Sequence, residues 1–355
     1  MDSTPVLEGC QVTIGYREGK RENALFPPMD FALYPGELTA LLGINGVGKS
    51  TLLRTLSATQ PALGGEIRLK GKNLSAYKEG ELARHISVVL TERQVAGGLR
   101  VHELVALGRY PYTGFWGSLR PDDRRIVEKV MEETGIARKR NFHLSQLSDG
   151  ERQKAFIAKT LAQESEVILL DEPTAFLDLP SRIEMMSLLH RLAAENGKTI
   201  LLSTHDVGQA LVLADKLWLL SPQKGLECGV TEELILAGKL DNLFPSDTIR
   251  FDPEHGSYYP LVQGHSRIAL SAANPTLLHW GVNLLNRNGF SCLLDENMGD
   301  TAEGKSPSVP TETARIVIEA ADRIAFSYAG ETIRLSSFSA LITTLKSRFG
   351  KHSQR

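Results

Sequence analysis

The chain has 355 residues, 42% hydrophobic and 23% charged, with a formal net charge of -2. That composition describes a globular chain long enough for more than one core, and with no acidic or basic excess nucleic acid is not expected as a partner. No run approaches the ~18 unbroken apolar residues of a membrane span, since even "LVLADKLWLL" is interrupted by Asp215 and Lys216.

The N-terminus, "MDSTPVLEGC", has neither the basic n-region nor the apolar core of a secretory signal, so export is not expected. Cys10, Cys228 and Cys292 are isolated and odd in number. They are poor material for a disulfide framework or a zinc site, and suit a reducing cytoplasm as buried or inert thiols.

Residues 6 to about 72 carry strand patterns such as "QVTIGY" and "GEIRLKG", with the apolar run "LTALLG" between them. Residues from about 95 to 163 read as mostly helical. From about 165 to 220 the apolar runs "VILLDE" and "TILLSTH" alternate with helical patterns such as "SRIEMMSLLHRLAAENG", which Gly197 closes. This is the rhythm of a parallel sheet covered by helices, with ligands expected at the carboxyl ends of the strands. After "FPSDTIRFDPEHGSYYP" the pattern restarts, which puts a domain boundary near residue 250.

Chemistry begins at "GINGVGKST", where Gly43, Gly48, Lys49 and Ser50 satisfy G-x-x-x-x-G-K-S between a strand and a helical pattern. Gly43, Gly46 and Gly48 let the backbone wrap a phosphate, so that successive N–H groups form an anion nest at a helix N-terminus. Lys49 reaches the β- and γ-phosphates of such a ligand, and the Ser50 hydroxyl ligates Mg²⁺. Asn45 and Thr51 belong to the same loop and are taken as nucleotide-binding with it. In "VILLDEP" an apolar strand delivers Asp171 to the same edge as a holder of Mg²⁺, while Glu172 is suited to polarise or deprotonate the attacking water. "LLSTHD" ends another strand with His205, close to where the γ-phosphate is expected. Tyr16, closing the first strand pattern, reads either as core packing or as a stacking platform for adenine.

A second Ser- and Gly-containing turn, "LSDGERQ", opens a helix about a hundred residues after the first phosphate loop. In the order "GINGVGKST", "LSDGERQ", "VILLDEPTAFLD" and "LLSTHD", these motifs resemble the ATPase subunits of ABC transporters over roughly residues 6 to 240. The resemblance implies a P-loop NTPase cassette of the α/β class over 1–250: a mostly parallel sheet, an antiparallel β subdomain and a helical subdomain at about 95–163. It implies ATP and Mg²⁺ as cofactors, Tyr16 as the adenine-stacking aromatic, Asp171 and Glu172 as the Walker B pair, Asp178 as the D-loop acid and His205 as the switch histidine. It implies also that Ser148 and Gly150, with Glu151 of the same turn, complete a site whose other half lies on a second copy of the chain. Two such shared sites define a self-complementary homodimer closed by ATP. Further implied partners are transmembrane permease subunits and, through them, an extracytoplasmic substrate-binding protein. The expected place is the cytoplasm, peripheral on the inner face of the cell membrane.

Residues 101 to 123, "VHELVALGRYPYTGFWGSLRPDD", read physically as a short helix, a Pro111 break and an aromatic cluster of Tyr110, Tyr112, Phe115 and Trp116, for which packing is one sufficient reason. The same string resembles the ATPases of the iron-siderophore, haem and cobalamin importers. The family usually has Gln at the end of the strand entering the helical region; in "SVVLTERQ" strand alignment puts Glu92 there, whereas Gln94 lies two residues on, so the assignment between them stays open. The expected activity is transport ATPase (EC 7.2.2.-), the alternative a soluble ABC-type docking or regulatory protein without a transport role.

Residues 251–355 read as a small α+β domain. Strand "RIALS" precedes a helix with Asn274 as N-cap, Pro275 at its first position and Gly289 beyond its end. "SCLLDE", "ARIVIE", "RIAFSY" and "TIRLS" are further strands, with "GDTAEGKSPSVPTE" a polar loop and Ala329-Gly330 a hairpin turn. A closing helix puts Phe338, Leu341, Ile342 and Leu345 on one face. The domain is either a stabilising appendage or an accessory unit that meets its twin across the dimer.

Overall fold

The computed structural model describes residues 4–19, 21–90, 98–114, 117–244, 246, 248–260, 267–294 and 313–349. The chain divides into two compact units, Met1–Pro245 with Phe251–Ser257, and Ser246–Arg250 with Tyr258–Arg355.

The first unit runs β1 (Leu7–Thr13), β2 (Met29–Leu33), β3 (Leu38–Leu42), α1 (Lys49–Leu56), β4 (Gly64–Leu69) and β5 (Ile86–Val89). Three helices follow, α2 (Val101–Ala106), α3 (Pro121–Glu133) and α4 (Asp149–Ala162). The chain then alternates through β6 (Val167–Asp171), α5 (Leu179–Asn196), β7 (Thr199–Thr204), α6 (Val207–Leu213), β8 (Lys216–Ser221), β9 (Gly225–Val230) and α7 (Thr231–Leu236). A six-stranded sheet has the order β9-β8-β3-β7-β6-β5, parallel except for β9. A smaller antiparallel sheet joins β2, β1 and β4 to the short strand Lys72–Asn73.

The apolar runs have a structural cause. Every residue of β3, β6 and β7 is buried, so these strands have no solvent face on which a polar alternation would appear. Because the three are parallel, Gly43 after β3, Asp171 at the end of β6 and the His205 turn after β7 all emerge at one edge of the sheet. That edge is anchored from below. Leu52, Leu53 and Leu56 of α1 are fully buried in one core with Leu7, Leu33, Leu41 and Trp218, and truncating any of these leucines to Ala costs about 2–5 kcal/mol.

In the helical part, α2 and α3 pack on α4. The Pro111 break is a 3₁₀ turn, Leu107–Tyr112, held by the buried Arg109. Its guanidinium donates to Asp123 Oδ1 at 2.9 Å, the Ala162 carbonyl at 2.7 Å and Glu164 Oε2 at 2.6 Å, and stacks 4.1 Å from the Tyr112 ring centroid. Backbone donation from Arg120 and the Arg109 guanidinium hold the Asp123 carboxyl below its usual range against the opposing effect of burial. Packing therefore accounts for Tyr112, while Tyr110 is largely exposed; Phe115 and Trp116 lie outside the described residues. Cys10 and Cys228 are exposed and Cys292 is half-buried, in contrast to the buried side of the expectation of buried or inert thiols, and all three are free.

The second unit holds β10 (Arg267–Ala272), α8 (Pro275–Arg287), β11 (Ser291–Leu294), β12 (Ala314–Ala320), β13 (Arg323–Tyr328), β14 (Glu331–Leu335) and α9 (Phe338–Phe349). Its sheet order is β11-β10-β12-β13-β14. Asn274 caps α8 by accepting from the Leu277 N–H at 2.9 Å. Ala329 and Gly330 both have positive φ, 51° and 82°, the pairing a two-residue hairpin with native strand twist requires. Leu284 and Leu285 of α8 and Leu341 and Leu345 of α9 share a core with Ile268, Leu270, Ile316, Ile318, Ile324 and Phe326. The polar loop at 299–312 lies outside the described residues.

Candidate functional site

The phosphate loop leaves β3 and enters α1 without a side-chain cap. Gly48, the N-cap, has φ 121° and its side is closed off, since a Cβ there would lie 3.2 Å from both Leu25 and Phe26. A Cβ on Gly43 would lie 2.6 Å from the Leu220 carbonyl. Glycine is thus demanded at both positions, and the first-turn N–H groups of α1 are free of side-chain acceptors of their own cap. Lys49 is 6% exposed. Its Nζ donates to the Gly43 carbonyl at 2.9 Å and stands 4.0 Å from Glu172 Oε1. Burial lowers its pKa, and the charges of Glu172 and Asp171 oppose that shift.

Ser50 and Asp171 meet directly. The Ser50 hydroxyl donates to Asp171 Oδ2 at 2.7 Å, and the buried Ser203 hydroxyl donates to Asp171 Oδ1 at 2.6 Å. The pair of oxygens fits Mg²⁺: both are hard donors, and cis ligands of an octahedral ion bound at about 2.1 Å stand about 3 Å apart. Glu172, with φ 47°, sits in the left-handed region, a conformation costing an L-residue roughly 1–2 kcal/mol. The turn aims its carboxylate at two cations or potential cations, with His205 Nδ1 3.5 Å from Oε2 and Lys49 on the other oxygen. A carboxylate between a lysine and an imidazole, beside a metal-competent Ser/Asp pair, can orient and deprotonate a water next to a phosphoryl group.

Tyr16 lies at the flank of this cluster. Its hydroxyl shares a 2.7 Å hydrogen bond with Thr51 Oγ1 and the residue is 45% exposed, so it is not a core residue. Asn45 is exposed on the loop.

A second group forms elsewhere in the same unit. Ser148 caps α4: its hydroxyl accepts from the Glu151 N–H at 3.2 Å while Glu151 Oε2 accepts from the Ser148 N–H at 3.1 Å. Glu151 also pairs with Lys139 at 3.4 Å, and its pKa is lowered first by the Ser148 backbone N–H. Asp178 caps α5 through the Ser181 N–H at 3.0 Å. Gly150 faces the same turn, where a Cβ would stand 3.3 Å from Ser181 Oγ. The signature turn and the Asp178 turn are therefore packed against one another as a unit. Glu92 and Gln94 lie outside the described residues.

Ser203 was not among the residues singled out by sequence. The only signal for it is a hydroxyl inside the apolar run "TILLSTH", two positions before His205.

The loop, the Ser50–Asp171 pair and the sheet order define a P-loop ATPase. A family model described as "ABC transporter" matches residues 26–175. The ferric enterobactin transport ATP-binding protein of Escherichia coli (strain K12) is 37% identical over 274 residues, 77% of this chain and 99% of that protein. The iron(3+)-hydroxamate import ATP-binding protein of Bacillus subtilis (strain 168) is 35% identical over 67% of this chain and 87% of its own length. Among solved structures, a metal-chelate type ABC transporter in an inward-facing conformation matches with TM-score 0.61 and 26% identity, over 73% of this chain and 99% of that one. A dimeric bacterial ABC transporter cassette matches with TM-score 0.56 at 24% identity, over 63% of this chain and 98% of that one. The chain belongs to the ATP-binding subunits of ABC transporters, and it is a transport ATPase of the group whose relatives serve iron and siderophore import.

Proposed function

We propose that this chain energises uptake of an iron-siderophore complex, with haem and cobalamin as the other cargo classes of the group, through a separate transmembrane permease. The observation that carries the catalytic part is the convergence of Lys49, Ser50, Asp171, Glu172 and His205 at one sheet edge. The cargo reading rests on the relatives, which are named for ferric enterobactin and iron(3+)-hydroxamate.

In this reading the α1 N–H groups and Lys49 bind the phosphates, and Ser50 and Asp171 hold Mg²⁺, which when bound neutralises phosphate oxygens. Glu172 takes the proton of the attacking water, and His205 holds the Glu172 carboxylate toward it. Ser148 and Gly150 act on the nucleotide of a second copy, so that ATP closes a homodimer and hydrolysis opens it. No described helix is long and apolar enough to cross a membrane; the pathway belongs to permease subunits, fed by an extracytoplasmic substrate-binding protein. The chain works from the cytoplasmic face of the membrane. The second unit is proposed as an accessory domain that meets its twin in the dimer.

The test is phosphate release by the reconstituted ATPase–permease complex, challenged with substrate-binding proteins loaded with ferric siderophore, haem or cobalamin. Stimulation by the ferric-siderophore form is expected. Stimulation by haem or cobalamin alone moves the cargo, and stimulation by none overturns the importer role.

A further inference from the structure

At the end of β7, Ser203 lies directly opposite Asp171 in the parallel ladder with β6. Its side chain is fully buried, yet it carries a hydroxyl in an otherwise apolar strand interior. That hydroxyl is used twice. It donates to Asp171 Oδ1 at 2.6 Å and accepts from the Glu172 N–H at 2.9 Å. The directions are forced, because an ionised carboxylate only accepts and a backbone N–H only donates. The same N–H also approaches the Ser203 carbonyl at 3.1 Å, and the Glu172 carbonyl accepts from the Ala175 N–H at 3.0 Å.

The two residues that Ser203 grips are unusual in what they must do together. Asp171 has to present its second oxygen to Ser50, which it does at 2.7 Å. One residue later the chain turns through the left-handed region at Glu172, and only that turn sends the Glu172 carboxylate toward Lys49 and His205. A strained backbone at a site persists when its surroundings over-determine it. Here the surroundings include the Ser203 hydroxyl and carbonyl on the Glu172 N–H and the Ala175 N–H on the Glu172 carbonyl.

We propose that Ser203 is a positioning residue for ATP hydrolysis: its hydroxyl fixes the Asp171 carboxylate and holds Glu172 in the turn that aims its carboxylate. Alanine, nearly the same size, removes both hydrogen bonds and leaves the strand in place. The phosphate loop makes no use of this hydroxyl, so metal-free nucleotide binding stays and the chemical step suffers. The proposal rests on the assignment of Glu172 as the base.

Ser203→Ala should lower kcat on the order of 10- to 100-fold, the scale of a small misplacement of a catalytic group, with ATP binding in EDTA changed less than about 3-fold. Ser203→Thr, which restores a hydroxyl, should recover most of the rate, and Ser203→Cys, with a weak donor of similar volume, should fall between. The melting temperature of each variant is followed alongside; if Ser203→Ala does not fold, the Ser203→Cys and Ser203→Thr rates carry the comparison. In the Glu172→Gln background, single-turnover hydrolysis should lose clearly less to Ser203→Ala than it does in the unaltered chain, because one of the two groups it positions is already gone. Hydrolysis by Ser203→Ala within 2-fold of the unaltered chain would overturn the proposal, as would an equal loss in both backgrounds or a parallel loss of nucleotide affinity in EDTA. A separate outcome, near-normal hydrolysis by Glu172→Gln alone, would instead remove the base assignment itself.

Discussion

Two helices in the first unit open on Ser/Gly-containing turns, and they differ in what their first N–H groups do. At α1 the cap is Gly48, which has no side chain to offer. At α4 the cap is Ser148, closed by a reciprocal box with Glu151. The first end suits an outside anion, since no side chain of its own cap accepts from the donors. The second is satisfied within the chain at the Glu151 N–H, and the Ser148 hydroxyl, which accepts there, keeps its own O–H to donate to a phosphate. In the proposed function the first binds nucleotide by itself and the second engages nucleotide brought by a partner. Substitutions at the two turns should therefore fail in different assays.

Lys49→Ala should give the largest effect. It removes the cation at the uncapped end, on which the charges of Glu172 and Asp171 both act, so kcat/KM should fall by roughly 10³-fold, the loss of a major electrostatic stabiliser. Phosphate release and ATP binding by the isolated chain should fail together; near-normal hydrolysis removes the site assignment.

Glu172→Gln keeps every residue of the phosphate loop and removes only the charge that stands 4.0 Å from Lys49. Hydrolysis should slow by about 10²-fold or more, as for a lost general base, while ATP still binds. The trapped state should elute as a dimer in size-exclusion chromatography with ATP, and a persistent ATP-bound monomer counts against a shared site.

Ser148→Ala sharpens the contrast. It costs about 1 kcal/mol of α4 stability through the lost cap, and ATP binding to the monomer should be unchanged. Hydrolysis, which needs the partner turn, should fall by roughly 10²-fold, as when one transition-state donor is removed. Equal losses of binding and hydrolysis would make the two turns alike and dissolve the distinction.

These residues differ in how visible they were in sequence. The buried strands were legible because burial on both faces writes itself as an unbroken apolar run, and Lys49, Ser50, Asp171 and His205 sit at fixed offsets from the ends of such runs. Asn274, Pro275 and Ala329-Gly330 were legible for a local reason: capping and positive φ admit few residue types. Ser203 was not. Its role depends on cross-strand register with Asp171, and register is a property of the sheet rather than of any short window. The Arg109 staple was hidden likewise, because Asp123, Ala162 and Glu164 meet it only after α3 and α4 have packed. Tyr16 was ambiguous between core and platform until its exposure was known.

The capping box itself gives the smallest and most specific effect. Glu151 accepts the Ser148 N–H and pairs with Lys139, and both lower its carboxyl pKa against the opposing effect of burial, the backbone donor being the larger influence. A carboxyl whose folded pKa lies below its ordinary value of 4.5 contributes stability that is present above that value and lost as pH falls through the folded pKa. Glu151→Gln keeps an acceptor for the Ser148 N–H, because glutamine also serves at this position of a capping box, but it abolishes the charge and the Lys139 pair. At pH 7 the variant should melt slightly below the unaltered chain, by no more than a few degrees for an exposed pair. The gap should close as pH falls below 4.5, when the native carboxyl takes up its proton and the two side chains become alike in charge. Parallel melting curves from pH 7 down to pH 3 would show that the α4 cap is held by backbone geometry rather than by the Glu151 charge. In that case the difference between the two turns would reduce to the missing side chain at Gly48.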